Sequence, residues 1–449
     1  MIEPERPSES GMTWPRIVRI GLVQASIGAV VVMLTSTVNR VMIVELALPA
    51  AIPGVLIALH FAIQFTLRPG VGHRSDLTGR REWWIMGGLL LLALSGTGAA
   101  ASAAWIASHR ALGMLAATVC FLGVGAGVSA AGTPLLAILA ERVAPARHPR
   151  AAAVVWLIMI GGFIATTALA SHFLAPFSWL RLVQVTGTVG AIAFVTGALA
   201  VRGLERGAQA GVLQPRGARA RDFRAALREV LADPEARAFC WFLLLSMLAY
   251  SAQDLLLEPF TGIAFGATPA ESTRISSMHR GGILVGMLAA AALAVRMGTP
   301  AKWASAGCVM SALCFALLAG TPALGSVGLA KLAIVGVGIG NGVFCIGALS
   351  AMMALIALRS DGRAGLRMGV YGGVEAVAMG AGGLLGALAN DAARTLLGSP
   401  TAGYVTVLAL EGALFAVAAA FAVRSNAPGA ATLALRDATP SPAVDLARG

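Results

Sequence analysis

Residues 72–81 read GHRSDLTGRR. Arg74, Asp76, Arg80 and Arg81 crowd into this short stretch, and apolar runs flank it at about 47–67 and 83–105. Gly72 and Gly79 permit a tight turn. Asp76 can meet a helix N-terminus or a neighbouring arginine. Charge this dense between runs this apolar reads as a short connection between two membrane spans, each of which needs about 20 apolar residues.

The same alternation continues in both directions. Of the 449 residues, 57% are hydrophobic and 12% charged, and the mean hydropathy is +0.80. Repeated spans account for these values. Apolar runs fall at about 17–38, 47–67, 83–105, 110–140, 151–173, 179–201, 237–257, 279–297, 302–321, 325–357, 367–389 and 401–423. The expected fold is an all-α integral membrane protein with twelve transmembrane helices in two six-helix halves. The halves are 17–201 and 237–423, joined by a linker at 202–236, with polar tails at 1–16 and 424–449.

The net charge is +12, yet the basic residues sit in short segments between spans, as topology signals do, so nucleic acid is not an expected partner. Of 33 Lys and Arg, 26 fall on the side of the N-terminus and 6 on the other, which predicts both termini in the cytoplasm of a bacterial inner membrane. Cys120, Cys240, Cys308, Cys314 and Cys345 lie in apolar runs without a CxxC, so neither a disulfide framework nor a zinc site is expected. Glu3, Glu5 and Glu9 precede the first run where a signal peptide would carry basic residues. No soluble-enzyme motif such as GxxxxGK[ST], HExxH or GxSxG is present.

Within the linker, Phe223, Leu227, Val230 and Leu231 share one helical face, which predicts an amphipathic helix on the inner membrane surface. The halves also repeat: GVGAGVSAAG begins at 123, in the fourth run, and GVGIGNGVFC at 336, in the tenth. Small residues of this kind let membrane helices approach closely.

Polar groups inside or beside spans are the candidate functional residues, because they are costly near lipid. From Tyr250 to Met287 the chain reads YSAQDLLLEPFTGIAFGATPAESTRISSMHRGGILVGM. Gln253, Asp254 and Glu258 lie in an apolar run expected to end at Pro259. Glu271 and Arg274 read as a wet loop, and His279 and Arg280 as the start of the next span, with Gly281 and Gly282 leaving room for a flat ligand. Asn39, Arg40 and Glu45 stand at the outer end of the first span. His60 lies mid-span in the second, with Gln64 one turn on and Phe61 and Phe65 nearby. Glu375 and Glu411 are isolated acids, with Lys331 and Asn341 as partners to consider. His73, His109, His148 and His172 sit near loops and are discounted.

GHRSDLTGRR fits the major facilitator motif GxxxDxxGRR through Gly72, Asp76, Gly79, Arg80 and Arg81. That likeness implies a conformational latch between helices. The corresponding RMGTPAKW at 296–303 lacks the aspartate and the double arginine. TSTVNRVMIVELALPA at 35–50, AYSAQDLLLEPFTGIAFG at 249–266, HRGGILVGM at 279–287 and GVYGGVEAVAMGAGGLLGALANDAARTLLG at 369–398 resemble the PucC/LhaA, or bacteriochlorophyll delivery, family of photosynthetic bacteria. The resemblance runs over nearly the whole chain, tails excluded. It implies a facilitator-like protein that binds bacteriochlorophyll as cargo rather than as a covalent cofactor. The protein would hand the pigment to light-harvesting antenna polypeptides within membrane lipid, and would not be an enzyme. If so, a neutral imidazole, His60 or His279, is the expected axial ligand of the pigment magnesium. A proton-coupled secondary transporter of a small solute or pigment precursor is the alternative, with a pigment-synthesis enzyme third.

Overall fold

The computed structural model describes residues 12–46, 48, 51–174, 176–205, 223–267, 269–294, 298–359 and 362–425, and the regular structure among them is helical. The first long helix is built from α1 (Trp14–Val32), a π-helical segment (Met33–Val38) and α2 (Asn39–Val44). Then come α3 (Ala51–Thr78), α4 (Arg81–Ser108), α5 (Arg110–Arg142), α6 (His148–Phe173) and α7 (Trp179–Val201). A short α8 (Phe223–Ala232) precedes α9 (Pro234–Phe265), α10 (Pro269–Leu293), α11 (Pro300–Leu324), α12 (Val327–Ala357), α13 (Ala364–Leu397) and α14 (Pro400–Arg424). Among the described residues twelve long helices result, ten of which are long and apolar enough to cross a membrane. In α10 the apolar part is the shorter Ser277–Leu293.

Local chemistry explains most boundaries. Ser178, Ser326 and Ser399 accept hydrogen bonds from the first-turn amides of α7, α12 and α14. Asp233 does the same for α9. Pro259 does not end α9; the helix runs on to Gly266, which stops it at φ 65°. Helix packing in a membrane tolerates such an interior proline. The span expected at 279 begins at Pro269, so Glu271 sits in the first turn of a helix and His279 well inside it.

The two halves repeat in three dimensions. A Cβ on Gly88 of α4 would collide with the amide of Ala131 on α5, and one on Gly307 of α11 would collide with that of Phe344 on α12. Gly123 faces Ser95, and Gly336 faces Cys314. Gly88 and Ser95 of α4 thus have their counterparts in Gly307 and Cys314 of α11, in the same register along the two helices. Gly123 and Ala131 of α5 correspond likewise to Gly336 and Phe344 of α12. The halves close on each other where α3 crosses α13. A Cβ on Gly72 would run into the Gly365 carbonyl, and one on Gly369 into that of Arg68. Only backbones without side chains meet this closely.

Candidate functional site

The 72–81 segment forms a polar knot at one end of the bundle, called here the latch face. Asp76, 6% exposed, accepts hydrogen bonds from the amides of Gly365 and Leu366, both at 2.9 Å. These are unpaired first-turn donors of α13, a helix of the other half. Arg81 donates to Asp76 at 2.8 Å and grips both carboxylate oxygens of Glu141 at the end of α5. Glu82 accepts from the amides of Gly203 (3.1 Å) and Glu205 (2.7 Å), while Glu205 accepts from the amide of Arg81 (3.1 Å). The start of α4 and the end of α7 are thereby clipped reciprocally. Gly79 takes φ 61° in the turn, and Arg80 is exposed. Residues 295–297 of the corresponding loop lie outside the described residues.

Deeper in the bundle, polar side chains rise along one face of α3 at four-residue spacing. Arg68 donates to Gln64 Oε1 at 2.5 Å and to the Gly372 carbonyl of α13 at 2.8 Å. Its guanidinium also lies 3.8 Å from Glu375. Arg68 and Glu375 line a cavity of about 200 Å³ between the halves, with Gln24, Thr133, Trp156 and Met352 among its walls.

The same string fixes the state of His60. A guanidinium only donates, so the Gln64 atom facing it is the oxygen, and the amide nitrogen must face His60. That nitrogen lies 2.8 Å from His60 Nε2. Nε2 therefore accepts, and the ring proton sits on Nδ1, which is buried without a hydrogen-bond partner among the described residues. His60 is 1% exposed. The Nε2 of His279 lies 3.4 Å from the Asn341 amide nitrogen, and Ser311 donates to Asn341 Oδ1. The carbonyls of His60 and His279 press on Gly125 and Gly338 respectively. Gly125 and Gly338 correspond in the same α5-to-α12 register as Gly123 and Gly336, so the two histidines are equivalent positions of the repeat. In this arrangement the Nε2 of His60 offers no lone pair to a magnesium, contrary to the expectation from sequence. Nor is there room for a flat ligand at Gly282, where a Cβ would meet the Val335 carbonyl at 2.6 Å; only Gly281 faces open space.

The profile of the PUCC protein family matches residues 37–429. The chain belongs to that family. This PUCC-family chain is 43% identical over 415 residues to the "Bacteriochlorophyll synthase 44.5 kDa chain" of Rhodobacter capsulatus, covering 91% of this chain and 95% of that one. It is 32% identical over 400 residues to "Protein PucC" of Rhodovulum sulfidophilum, covering 84% and 86%. Among solved structures it resembles a bacterial homologue of the iron transporter ferroportin in the outward-facing state. There the TM-score is 0.74 at 15% identity, over 91% of this chain and 99% of that one. It also resembles the Escherichia coli fucose:proton symporter, with a TM-score of 0.65 at 16% identity over 92% and 98%. The fold is that of the major facilitator superfamily, and the PUCC-family chain is a multi-pass membrane protein.

The remaining sequence candidates are scattered. Gln253 is fully buried, and both its amide atoms lack a hydrogen-bond partner among the described residues; it is no wet helix end. The side chains of Asp254, Glu258 and Arg274 on α9 and α10, and of Arg40 on α2, lie outside the described residues. Asn39 is half-buried, and Glu45 is exposed just past α2. Arg280 and Lys331 are exposed. Asn341 serves His279 rather than Glu375 or Glu411, and the latter is buried in α14. Sequence reasoning in this PUCC-family chain missed Arg68, a loop charge by its position after the apolar run but placed inside α3. It also missed Glu141 and Glu205, which complete the latch. Arg68 stands at i+8 from His60 and i+4 from Gln64, a spacing that could have revealed it.

Proposed function

We propose that the protein is a non-enzymatic assembly factor of the photosynthetic membrane, which binds bacteriochlorophyll and delivers it to nascent antenna polypeptides. The observation that carries this reading is family membership, with 43% identity to a chain named for bacteriochlorophyll synthase. That relative's name speaks of a synthase, whereas the family and the facilitator fold favour a chain that serves pigment chemistry without performing it. The internal cavity of about 200 Å³ is below the roughly 300–1,000 Å³ of ordinary ligand pockets. That cavity is too small for a tetrapyrrole with its tail, and we infer that the pigment is received from the lipid side. The latch face carries the basic excess and is the cytoplasmic face of the inner membrane. Deleting the gene in a photosynthetic host tests the function. Antenna absorption should fall while free bacteriochlorophyll synthesis continues. Loss of the pigment itself would point to an enzyme instead, and unchanged absorption would remove the role.

A further inference from the structure

The linker helix α8 does not spend its apolar stripe on lipid. Ala226 and Val230 are buried, Phe223 and Leu227 are half-buried against the protein core, and only Leu231 is well exposed, at 45%. The Phe223 ring lies 5.6 Å from that of His73. His73 sits on α3 between Gly72, which meets Gly365, and Asp76, which caps Gly365 and Leu366. The other end of α8 is fastened to the opposite half. Glu229 accepts from Arg363 at 2.5 Å, and Arg363 is the residue that opens α13. Asp233, at the junction of α8 and α9, pairs with Arg359 at 2.8 Å and with Arg367 at 3.5 Å. Arg359 also reaches Glu235 at 3.4 Å.

An exposed pair such as Glu229–Arg363 holds little by itself. Asp233 and Arg367 are different, with side chains only 9% and 6% exposed, so separating them would leave buried charge uncompensated. The anchor on the α13 side is therefore firm, and the aromatic contact on the α3 side is the part that can lift. We propose that α8 is a strap across the two halves, which holds the latch face shut and must leave His73 before α3 and α13 separate. It acts on the same turn of α13 that Asp76 caps, so strap and latch close one gate together.

Hydrogen exchange of the full-length protein, read by mass spectrometry, tests this. Phe223→Ala leaves every ion pair in place. The amides at the start of α13 should then exchange about three- to tenfold faster, as loss of one aromatic contact implies, while α11 and α14 stay at wild-type rates. Should Phe223→Ala loosen the whole bundle, Glu229→Arg, which turns a weak attraction into repulsion between two guanidinium groups, and its swap with Arg363→Glu carry the test. The single change should speed exchange at the start of α13, and the swap should restore it. Fast exchange confined to α8, with the start of α13 unchanged in both experiments, would overturn the strap.

Discussion

Arg68 on α3 and Glu375 on α13 face each other at 3.8 Å across the seam between the halves. The pair is unequal. Arg68 also holds the Gly372 carbonyl and Gln64, whereas the Glu375 carboxylate meets it at 3.8 Å as its one ion-pair contact among the described residues. Arg68→Leu should therefore cost the closed state about 3 kcal/mol, the scale of losing two hydrogen bonds from a charged donor. Glu375→Gln should cost under about 1 kcal/mol. Thermal unfolding of the two variants in one detergent checks the order, and equal losses would mean that the ion pair, not the guanidinium's neutral contacts, dominates.

Two neighbouring glycines of α3 make opposite predictions. Gly72→Ala drives a methyl into the Gly365 carbonyl, while a Cβ on Gly70 meets nothing within 4 Å. Overpacking of this kind costs about 1–3 kcal/mol, and Gly→Ala in an open helix position gains up to about 1 kcal/mol. The melting temperature should fall for Gly72→Ala and hold or rise for Gly70→Ala.

His60→Leu removes the nearer of two acceptors of the Gln64 amide and leaves the residue-60 carbonyl at 3.3 Å as the other, so one amide hydrogen is orphaned. The expected result is lower stability, by about 1–3 kcal/mol for an orphaned buried donor, with co-purified pigment per mole of protein unchanged. His279→Leu, the repeat equivalent, should behave alike. A stable His60→Leu protein that has lost its pigment would restore the imidazole as a magnesium ligand.

The twelve-helix plan is legible in the sequence because apolar runs of span length and basic connections are coarse signals, spread over hundreds of residues. The repeat is legible in two glycine-rich segments because close helix crossings demand small side chains. Asp76 reads as a cap or an arginine partner, and in the fold it is both. What stays hidden depends on rotation about a helix. Whether His60 faces a cavity or an amide, and whether Arg68 belongs to a loop or to a seam, follows from how α3 lies against α5 and α13. The α8 stripe reads correctly as apolar on one side, but its periodicity does not say whether lipid or protein covers it.

Asp76→Asn keeps the shape of the cap and removes its charge. The two amides of α13 lose a charged acceptor, a change worth about 1–2 kcal/mol. Spin labels at Arg74 and Arg424, exposed positions of the two halves near the latch face, should report a broader and longer distance distribution in the variant. An unchanged distribution would show that the glycine crossing alone keeps the face shut.

Pigment handling is tested most directly by purifying the protein from a photosynthetic host and recording its absorption spectrum per mole of chain. Bacteriochlorophyll should co-purify at a fixed ratio and leave when antenna polypeptides are added. A colourless protein, obtained under detergent conditions mild enough to keep pigment on the host's own antenna complexes, would contradict the proposed role.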